Sequence, residues 1–413
     1  MTKLTAIDLF TGAGGLSLGI LDAGYDLLFA SDFNAACAET HRRNLPKVAF
    51  QLDDIHNVTG AKIMRKTGLR RGELDLLAGG PPCQGFSIIG ARLADDPRND
   101  LFRQFMRVAS ELKPRVVLME NVPGLMTFKN GDAWRAIKAA FNNAGYTCSF
   151  AELLAAQYGV PQMRWRMVFI GFRLDLSIPE CYGFPAPTHG RRGIGDLISN
   201  CTIHPEDQEG FLRTLDAIGD LPPVEAGEEN PRYVGKPNRA YQIRMRDGAG
   251  DRVENHYAPR LSALNLARLA HLKAGQDWRD LPYDLLPDGM KRAKRKDHTR
   301  RYSRMTWDGV PRSIITRFRD PKSGEYTHPA QNRTISIREA ARIQSFPDRF
   351  VFEGANTEQY DQVGNAVPPD LARAIACEIA ACLRGEAVHV LTDPFSRRKA
   401  LRDVHRQFSL ELA

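Results

Sequence analysis

Cys83 sits in Gly79-Gly80-Pro81-Pro82-Cys83-Gln84-Gly85-Phe86-Ser87, a thiol on a stiff double-proline step followed by a glycine-containing loop. A cysteine in a long chain is ordinarily a buried small hydrophobe, inert and chosen for its size. Its setting here points to a nucleophile, because a short apolar strand, Leu74 to Ala78, runs straight into the loop. Asp8, Asp32, Asp54 and Glu120 likewise fall at or just beyond the ends of short apolar runs. In a parallel sheet such ends share one crevice, so four carboxyls and a thiol are expected in a common site.

The elements that must position these groups are legible in the hydrophobic pattern. Leu4 to Phe10 reads as a buried strand, Thr11 to Gly15 as a glycine turn and Leu16 to Ala23 as the helix behind it. Leu27 to Ala30, Lys47 to Leu52, Leu74 to Ala78 and Val116 to Met119 give four more strands, and Leu101 to Leu112 has apolar residues at helical spacing. Strands alternating with helices predict a doubly wound, mostly parallel α/β sheet. After Phe172 the character changes: about Pro185 to Thr316 is rich in Pro, Gly, Arg and His and weakly periodic, apart from a helical stretch at Leu261 to His271. Helical patterning returns at Ser336 to Phe346 and Leu371 to Leu383. The expected organisation is a first part of the catalytic domain over 1–184, a smaller irregular domain over 185–330, a completing segment over 331–385 and a peripheral tail over 386–413.

The glycine turn Asp8-Leu9-Phe10-Thr11-Gly12-Ala13-Gly14-Gly15 lets backbone approach a ligand where side chains would block it. Asp32 lies about 20 residues beyond the first glycine, where a carboxylate accepts hydrogen bonds from ribose hydroxyls. It could instead cap the helix that starts near Asn34. Turn and carboxylate together imply an adenosine-containing cofactor, either a dinucleotide or S-adenosylmethionine. The turn lacks the Gly-x-Gly-x-x-Gly fingerprint, which favours S-adenosylmethionine.

With 413 residues, the chain is long enough for two domains. Its 43% hydrophobic and 26% charged content is that of an ordinary globular protein without membrane-length apolar runs or a signal peptide, so a cytoplasmic, nucleoid-associated location is expected. Seven scattered cysteines without Cys-x-x-Cys or Cys/His clusters support neither a disulfide framework nor a metal. The net charge of +8 suits a polyanionic partner. It is concentrated in Lys291, Arg292, Lys294, Arg295, Lys296, Arg300, Arg301 and Arg304, which could also be a solvated loop.

Taken in order, Asp8 to Gly15, Gly80 to Ser87, Glu120-Asn121-Val122, Gln157-Tyr158-Gly159-Val160-Pro161-Gln162-Met163-Arg164-Trp165-Arg166, Arg338 to Pro347 and Gln362 to Pro369 make the chain resemble the DNA cytosine-5 methyltransferases of bacterial restriction-modification systems. The resemblance covers nearly the whole sequence. It implies that the fold is that of the S-adenosylmethionine-dependent methyltransferases and that the irregular domain is a target recognition domain. Cys83 then matches a thiolate that adds to carbon 6 of cytosine, turning the ring into an enamine that attacks a sulfonium methyl. Glu120 matches a carboxyl at ring nitrogen 3, Arg166 a cation at the exocyclic oxygen, and Arg164 a neighbouring phosphate or loop contact.

For the cofactor, the resemblance implies Phe10 against the adenosine, the Gly12, Gly14 and Gly15 backbone at the methionine moiety, Asp32 at the ribose and Phe33 near adenine. Asp54 and Ile55 match the adenine edge, Pro81 and Leu101 other lining positions, and Asn365 and Val367 a C-terminal closure. The family often has glutamate and tryptophan where this chain has Asp32 and Phe33, which alters the geometry of those two contacts but not their kind. The partner implied is double-stranded DNA, with the target base flipped out of the helix, Arg92 and Arg98 on the closing loop, and the Lys291 to Arg304 run on phosphates. A monomer serving beside a separately acting restriction endonuclease is expected. Two other readings stay open: the tRNA-directed relative of the family, and a DNA-binding regulator without chemistry. Gln84-Gly85-Phe86-Ser87 argues against the first, since tRNA enzymes tend to have proline at the position of Gly85. Intact Cys83, Glu120 and Arg166 argue against the second.

Overall fold

The computed structural model describes residues 2–82, 101–126, 132–177, 184–185, 187–190, 210–292 and 300–386. The chain divides into two compact units, one of residues 1–159, 165–210 and 367–413 and the other of 160–164 and 211–366.

The first unit is built on a seven-stranded sheet. Strands β1 (Thr5–Leu9), β2 (Asp26–Asp32), β3 (Ala49–Leu52), β4 (Leu76–Gly79), β5 (Val116–Asn121), β6 (Ser149–Leu154) and β7 (Trp165–Phe172) lie in the order β3-β2-β1-β4-β5-β7-β6. The first five are parallel, and β7 runs antiparallel to both β5 and β6. Helices α1 (Gly15–Asp22), α2 (Ala35–Asn44), α3 (Gly60–Thr67), α4 (Leu101–Leu112) and α5 (Asp132–Asn143) make the crossovers. The strand order reverses between β1 and β4, so the carboxyl ends of β1, β2, β4 and β5 open on a switch point, where open α/β sheets bind ligands.

Local chemistry accounts for these elements. β4 is Leu-Leu-Ala-Gly, buried throughout, as a central parallel strand must be. α4 places Phe102, Phe105, Val108, Ala109 and Leu112 on one face, and these join Ile7, Leu77, Val117 and Met119 of the sheet in a single core. On α1, a Cβ at Gly19 would lie 2.5 Å from both Ala372 Cβ and the Pro369 carbonyl oxygen, so glycine permits the close approach of the C-terminal helix Pro369–Leu383.

The second unit contains little regular structure. A two-stranded ladder, Ser303–Arg304 against Glu325–Thr327, accompanies short helices such as Ala263–His271, Ile337–Ile343 and Asn356–Asn365. Leu269, Leu272, Trp278, Leu281, Leu286, Met290 and Tyr302 form a local core. Buried arginines replace much of the missing backbone ladder. Arg338 donates to the carbonyls of Glu254, Pro347 and Phe350, and Arg342 pairs with Asp220 and Asp348 at 2.6 Å each.

The division differs from the expected one: residues 331–366 group with 211–330 rather than with the sheet, which only 367 onward rejoins. The reason lies in the partners of helix Ile337–Ile343, whose Arg338 and Arg342 bond to residues of the 217–255 region. The helical periodicity of 336–346 identifies the element but not the side it packs on.

Candidate active site

The turn after β1 lies at the sheet's carboxyl edge. Phe10 takes a left-handed conformation at φ 58°, Gly12 and Gly14 follow at 54° and 98°, and Gly14 caps α1. Nothing lies within 4 Å of where a Gly12 Cβ would stand, so the backbone there is open to close approach. The turn is fixed to β2 by two bonds: Thr11 N donates to the Ser31 carbonyl at 3.1 Å, and Gly12 N donates to Asp32 Oδ2 at 2.8 Å.

Asp32 is more than a cap. Asn34 caps α2, its side chain accepting from Cys37 N at 3.1 Å, while Asp32 Oδ1 accepts from Asn34 N at 2.9 Å. Burial pushes the Asp32 carboxyl up, and the amides of Asn34, Gly12 and Phe33 pull the other way. Beside it the Phe33 ring is 71% exposed, a large aromatic left uncovered next to a carboxylate at a strand end. Asp54 ends the turn beyond β3, accepting from His56 N at 2.9 Å and lying 2.5 Å from His56 Nδ1; these bonds hold its carboxyl below the ordinary range. Ile55 is buried, and its carbonyl accepts from Arg107 of α4 at 2.9 Å. Leu101, half-buried against the core, begins the same helix. The uncovered Phe33 ring, the Asp32 carboxylate and the open space at Gly12 suit an adenosine-containing group, and Phe10, Gly12, Gly14, Gly15, Asp32, Phe33, Asp54 and Ile55 lie along this edge.

The second half of the edge lies at β4 and β5. Pro81 is buried, and its carbonyl accepts from Asn121 Nδ2 at 3.0 Å, which fastens the start of the Cys83 loop to the end of β5. A Cβ at Gly80 would stand 3.4 Å from Glu120 Oε2, so the loop leaves the sheet alongside the carboxyl. Glu120 is paired: Arg166 Nε lies 2.6 Å from its Oε1, with side-chain exposures of 10% for the arginine and 12% for the glutamate. Arg166 Nη1 also donates to the Trp165 carbonyl at 2.8 Å, and burial lowers the arginine's pKa against the pull of Glu120. The pair is a largely desolvated donor-acceptor couple, with the Glu120 carboxyl beside Gly80.

Cys83, Arg92, Arg98, Lys294, Arg295 and Lys296 lie outside the described residues. Of the two roles expected of Arg164, a phosphate or a loop contact, its bonds correspond to the second. It belongs to the second unit and is buried, and its guanidinium donates to the carbonyls of Ile314 at 2.5 Å, Gly364 at 2.9 Å and Ala366 at 3.0 Å. It is therefore a backbone clamp rather than a phosphate contact. Arg304 departs from the expected phosphate contact: it donates to Leu272, Leu269, His328 and Gln331 carbonyls and to Asn332 Oδ1, which occupies its fork. Arg300 pairs with Glu325 and Lys291 with Asp288, each at 2.8 Å, while Arg292 and Arg301 are exposed. Asn365 is exposed at the end of a helix of the second unit, and Val367 begins the return to the first.

Sequence reasoning missed Arg107, whose side chain bonds Gln104, Glu111 and the carbonyls of Ile55 and Val58. Its i,i+4 spacing to Glu111 was the available signal, and that spacing ordinarily marks a helix surface pair. Among the described residues no helix is long and apolar enough to cross a membrane.

Sheet order, turn and strand-end carboxyls define an α/β methyltransferase fold. A family model described as C-5 cytosine-specific DNA methylase matches residues 4–381. The chain belongs to that family and is a DNA cytosine-5 methyltransferase. It is 34% identical over 398 residues to the Type II methyltransferase M.XorII of Xanthomonas oryzae pv. oryzae, covering 93% of this chain and 86% of that one. It is 35% identical over 377 residues to the Type II methyltransferase M1.HphI of Haemophilus parahaemolyticus, covering 91% and 86%. Among solved structures, a protein encoded within an E. coli prophage superimposes with a TM-score of 0.68 at 25% identity, covering 92% of this chain and all of that one (100%). A variant of Spodoptera frugiperda DNMT2 gives a TM-score of 0.56 at 16% identity, over 92% and 100%, a likeness of fold alone.

Proposed function

We propose that the protein transfers the methyl group of S-adenosylmethionine to carbon 5 of a cytosine flipped out of a specific short duplex, and so protects DNA from a cognate restriction endonuclease. The reading rests above all on the Glu120–Arg166 pair, 2.6 Å apart beside Gly80, where the chain leaves β4. When bound, the cofactor supplies an electrophilic methyl; Asp32, Phe33, the Gly12 to Gly15 backbone, Asp54, Ile55, Pro81 and Leu101 would hold it.

The chain's own part is nucleophilic. The Cys83 thiolate adds to carbon 6, and the displaced electron pair makes carbon 5 able to take the methyl. Glu120 shares a proton with ring nitrogen 3, where negative charge gathers, and Arg166, paired with that carboxyl, is the cation at the exocyclic oxygen. Loss of the carbon 5 proton to a base and departure of the thiolate from carbon 6 restore the aromatic ring and the free enzyme. A base must leave the stack to reach a thiol held on a loop, at a cost of a few kcal/mol. The second unit, with exposed Arg292 and Arg301, binds the duplex.

Bisulfite sequencing of DNA from cells expressing the wild-type and Cys83→Ser proteins tests the reading. Protected cytosines within one recurrent short sequence, absent with the variant, are expected. Unmodified DNA with methylated tRNA, or undiminished transfer by the variant, would overturn it.

A further inference from the structure

Asp8, on β1 behind the glycine turn, is fully buried, and it makes no direct contact assigned to cofactor or substrate. Its Oδ2 lies 2.8 Å from Thr11 Oγ1 and 2.6 Å from Ser17 Oγ, and those two hydroxyls are themselves 2.8 Å apart. Three mutually close oxygens need three hydrogens, one for each contact. Two hydroxyls supply only two. An ionised Asp8 would accept from both and leave the Thr11–Ser17 contact as a facing of lone pairs. A carboxylic acid protonated on Oδ2 closes a cycle in which each oxygen donates once and accepts once. Asp8 Oδ1 has no hydrogen-bond partner among the described residues, a heavy penalty for a charged oxygen and a small one for the carbonyl of a neutral acid.

The surroundings agree. Asp8 pairs across the sheet with Ala30 of β2 and Ala78 of β4, neither of which offers charge or a polar side chain. A charged group acting on it is Asp32 of β2, which disfavours a second anion, and Ser17 approaches from α1. Burial pushes the carboxyl up to about 7, with the bonds from Ser17 and Thr11 opposing.

We propose that Asp8 is a positioning residue that works as a neutral carboxylic acid, closing a three-proton ring with Thr11 and Ser17 that sets the cofactor turn. The connection to the turn is short. Thr11 N is bonded to Ser31, the Thr11 carbonyl accepts from Gly14 N at 2.9 Å, and the next residue, Gly12, reaches Asp32. Ionising Asp8 opens the ring beside Thr11 and loosens the backbone that presents Gly12. This inference rests on the assignment of the turn to S-adenosylmethionine.

Asp8→Asn mimics the neutral acid in shape, with an amide that donates to both hydroxyls. Calorimetric titration with S-adenosylhomocysteine is expected to give a Kd within about threefold of wild type near neutral pH. Between about pH 7 and pH 9 the wild type should weaken by at least about tenfold more than the variant, which also serves as the control for the ligand's own titration. A variant that folds but binds more than about thirtyfold worse at neutral pH would show that a carboxylate is needed and overturn the proposal. Should Asp8→Asn fail to fold, infrared spectra of protein carrying carbon-13 at the aspartate carboxyl decide. A protonated-carboxyl band at neutral pH that shifts with the label and survives Asp32→Asn supports the ring, and its absence refutes it. If wild type does not bind S-adenosylhomocysteine at all, the cofactor reading fails, while the infrared band still reports on Asp8.

Discussion

Arg166 reaches Glu120 diagonally across the antiparallel pair of β5 and β7: Glu120 pairs with Val168, and Arg166 stands two residues along the same strand, with Nε 2.6 Å from Oε1. Both side chains are nearly buried, so the two substitutions should separate chemistry from stability. Glu120→Gln keeps the shape and removes the acid. It is expected to lower kcat by about 10² to 10⁴-fold with unchanged S-adenosylhomocysteine affinity. Arg166→Ala leaves a buried carboxylate without its partner and should cost about 3 to 5 kcal/mol in urea unfolding as well as activity. Equal loss of stability in both variants would make the pair a structural bridge instead.

The exposed ring of Phe33 beside Asp32 has a different signature. Stacking of a base on an aromatic side chain contributes about 1 to 3 kcal/mol, so Phe33→Ala should weaken S-adenosylhomocysteine binding by about 5 to 150-fold. Because the ring is 71% exposed, folding stability should change by no more than about 0.5 kcal/mol. A loss of stability without loss of affinity would place the ring in packing and not in the site.

The parallel half of the sheet was readable because its strands are apolar runs with carboxyl-bearing residues at or just beyond several of their ends. Asp8, Asp32, Asp54 and Glu120 could all be placed at strand ends from the apolar runs alone. β6 and β7 were not, because the antiparallel pairing of Ser149–Leu154 with Trp165–Phe172 is a long-range choice. Charge was the least reliable guide. Arg304 sits in the basic run as if on a surface, yet its guanidinium is buried among carbonyls, since a unit poor in regular structure must find donors for its orphan oxygens. Arg164 and Arg166 differ by two positions and belong to different units, a distinction no local pattern carries.

That contrast predicts two kinds of arginine in one basic segment. Arg292→Gln with Arg301→Gln should flatten the dependence of DNA affinity on salt by about 0.9 for each phosphate no longer neutralised, leaving stability within about 0.5 kcal/mol. Arg304→Gln should do the reverse. It strands the carbonyls of Leu269, Leu272, His328 and Gln331, for a loss of at least about 3 kcal/mol, with an unchanged salt slope in the folded fraction. Filter binding across a salt series and urea unfolding measure the two quantities separately. A flattened slope in Arg304→Gln would return that residue to the DNA.

The second unit should also weaken in mild acid through His328. Its Nδ1 accepts from the amides of Ala330 at 3.2 Å and Gln331 at 3.0 Å, an arrangement only the unprotonated nitrogen can make. Burial lowers its pKa from 6.5 to about 4, with Arg333, Arg304 and His256 acting in the same direction and Glu339 against them. A histidine depressed in the folded state contributes stability that is complete above the unfolded value and is lost as pH falls toward the folded one. The window therefore runs from 6.5 down to about 4, and the loss across it is on the order of 3 kcal/mol. Burial opposes the ionisation of Glu339, but Arg333 at 2.7 Å holds it far below the usual carboxylate range, so it keeps its charge throughout the window. Asn at position 328 offers an amide oxygen to the same two backbone N–H groups and cannot titrate. Urea unfolding at the two ends of the window should show the wild type losing on the order of 3 kcal/mol more than His328→Asn, and equal losses would assign the acid sensitivity to other groups, such as His41 and His256, whose pKa values burial also lowers.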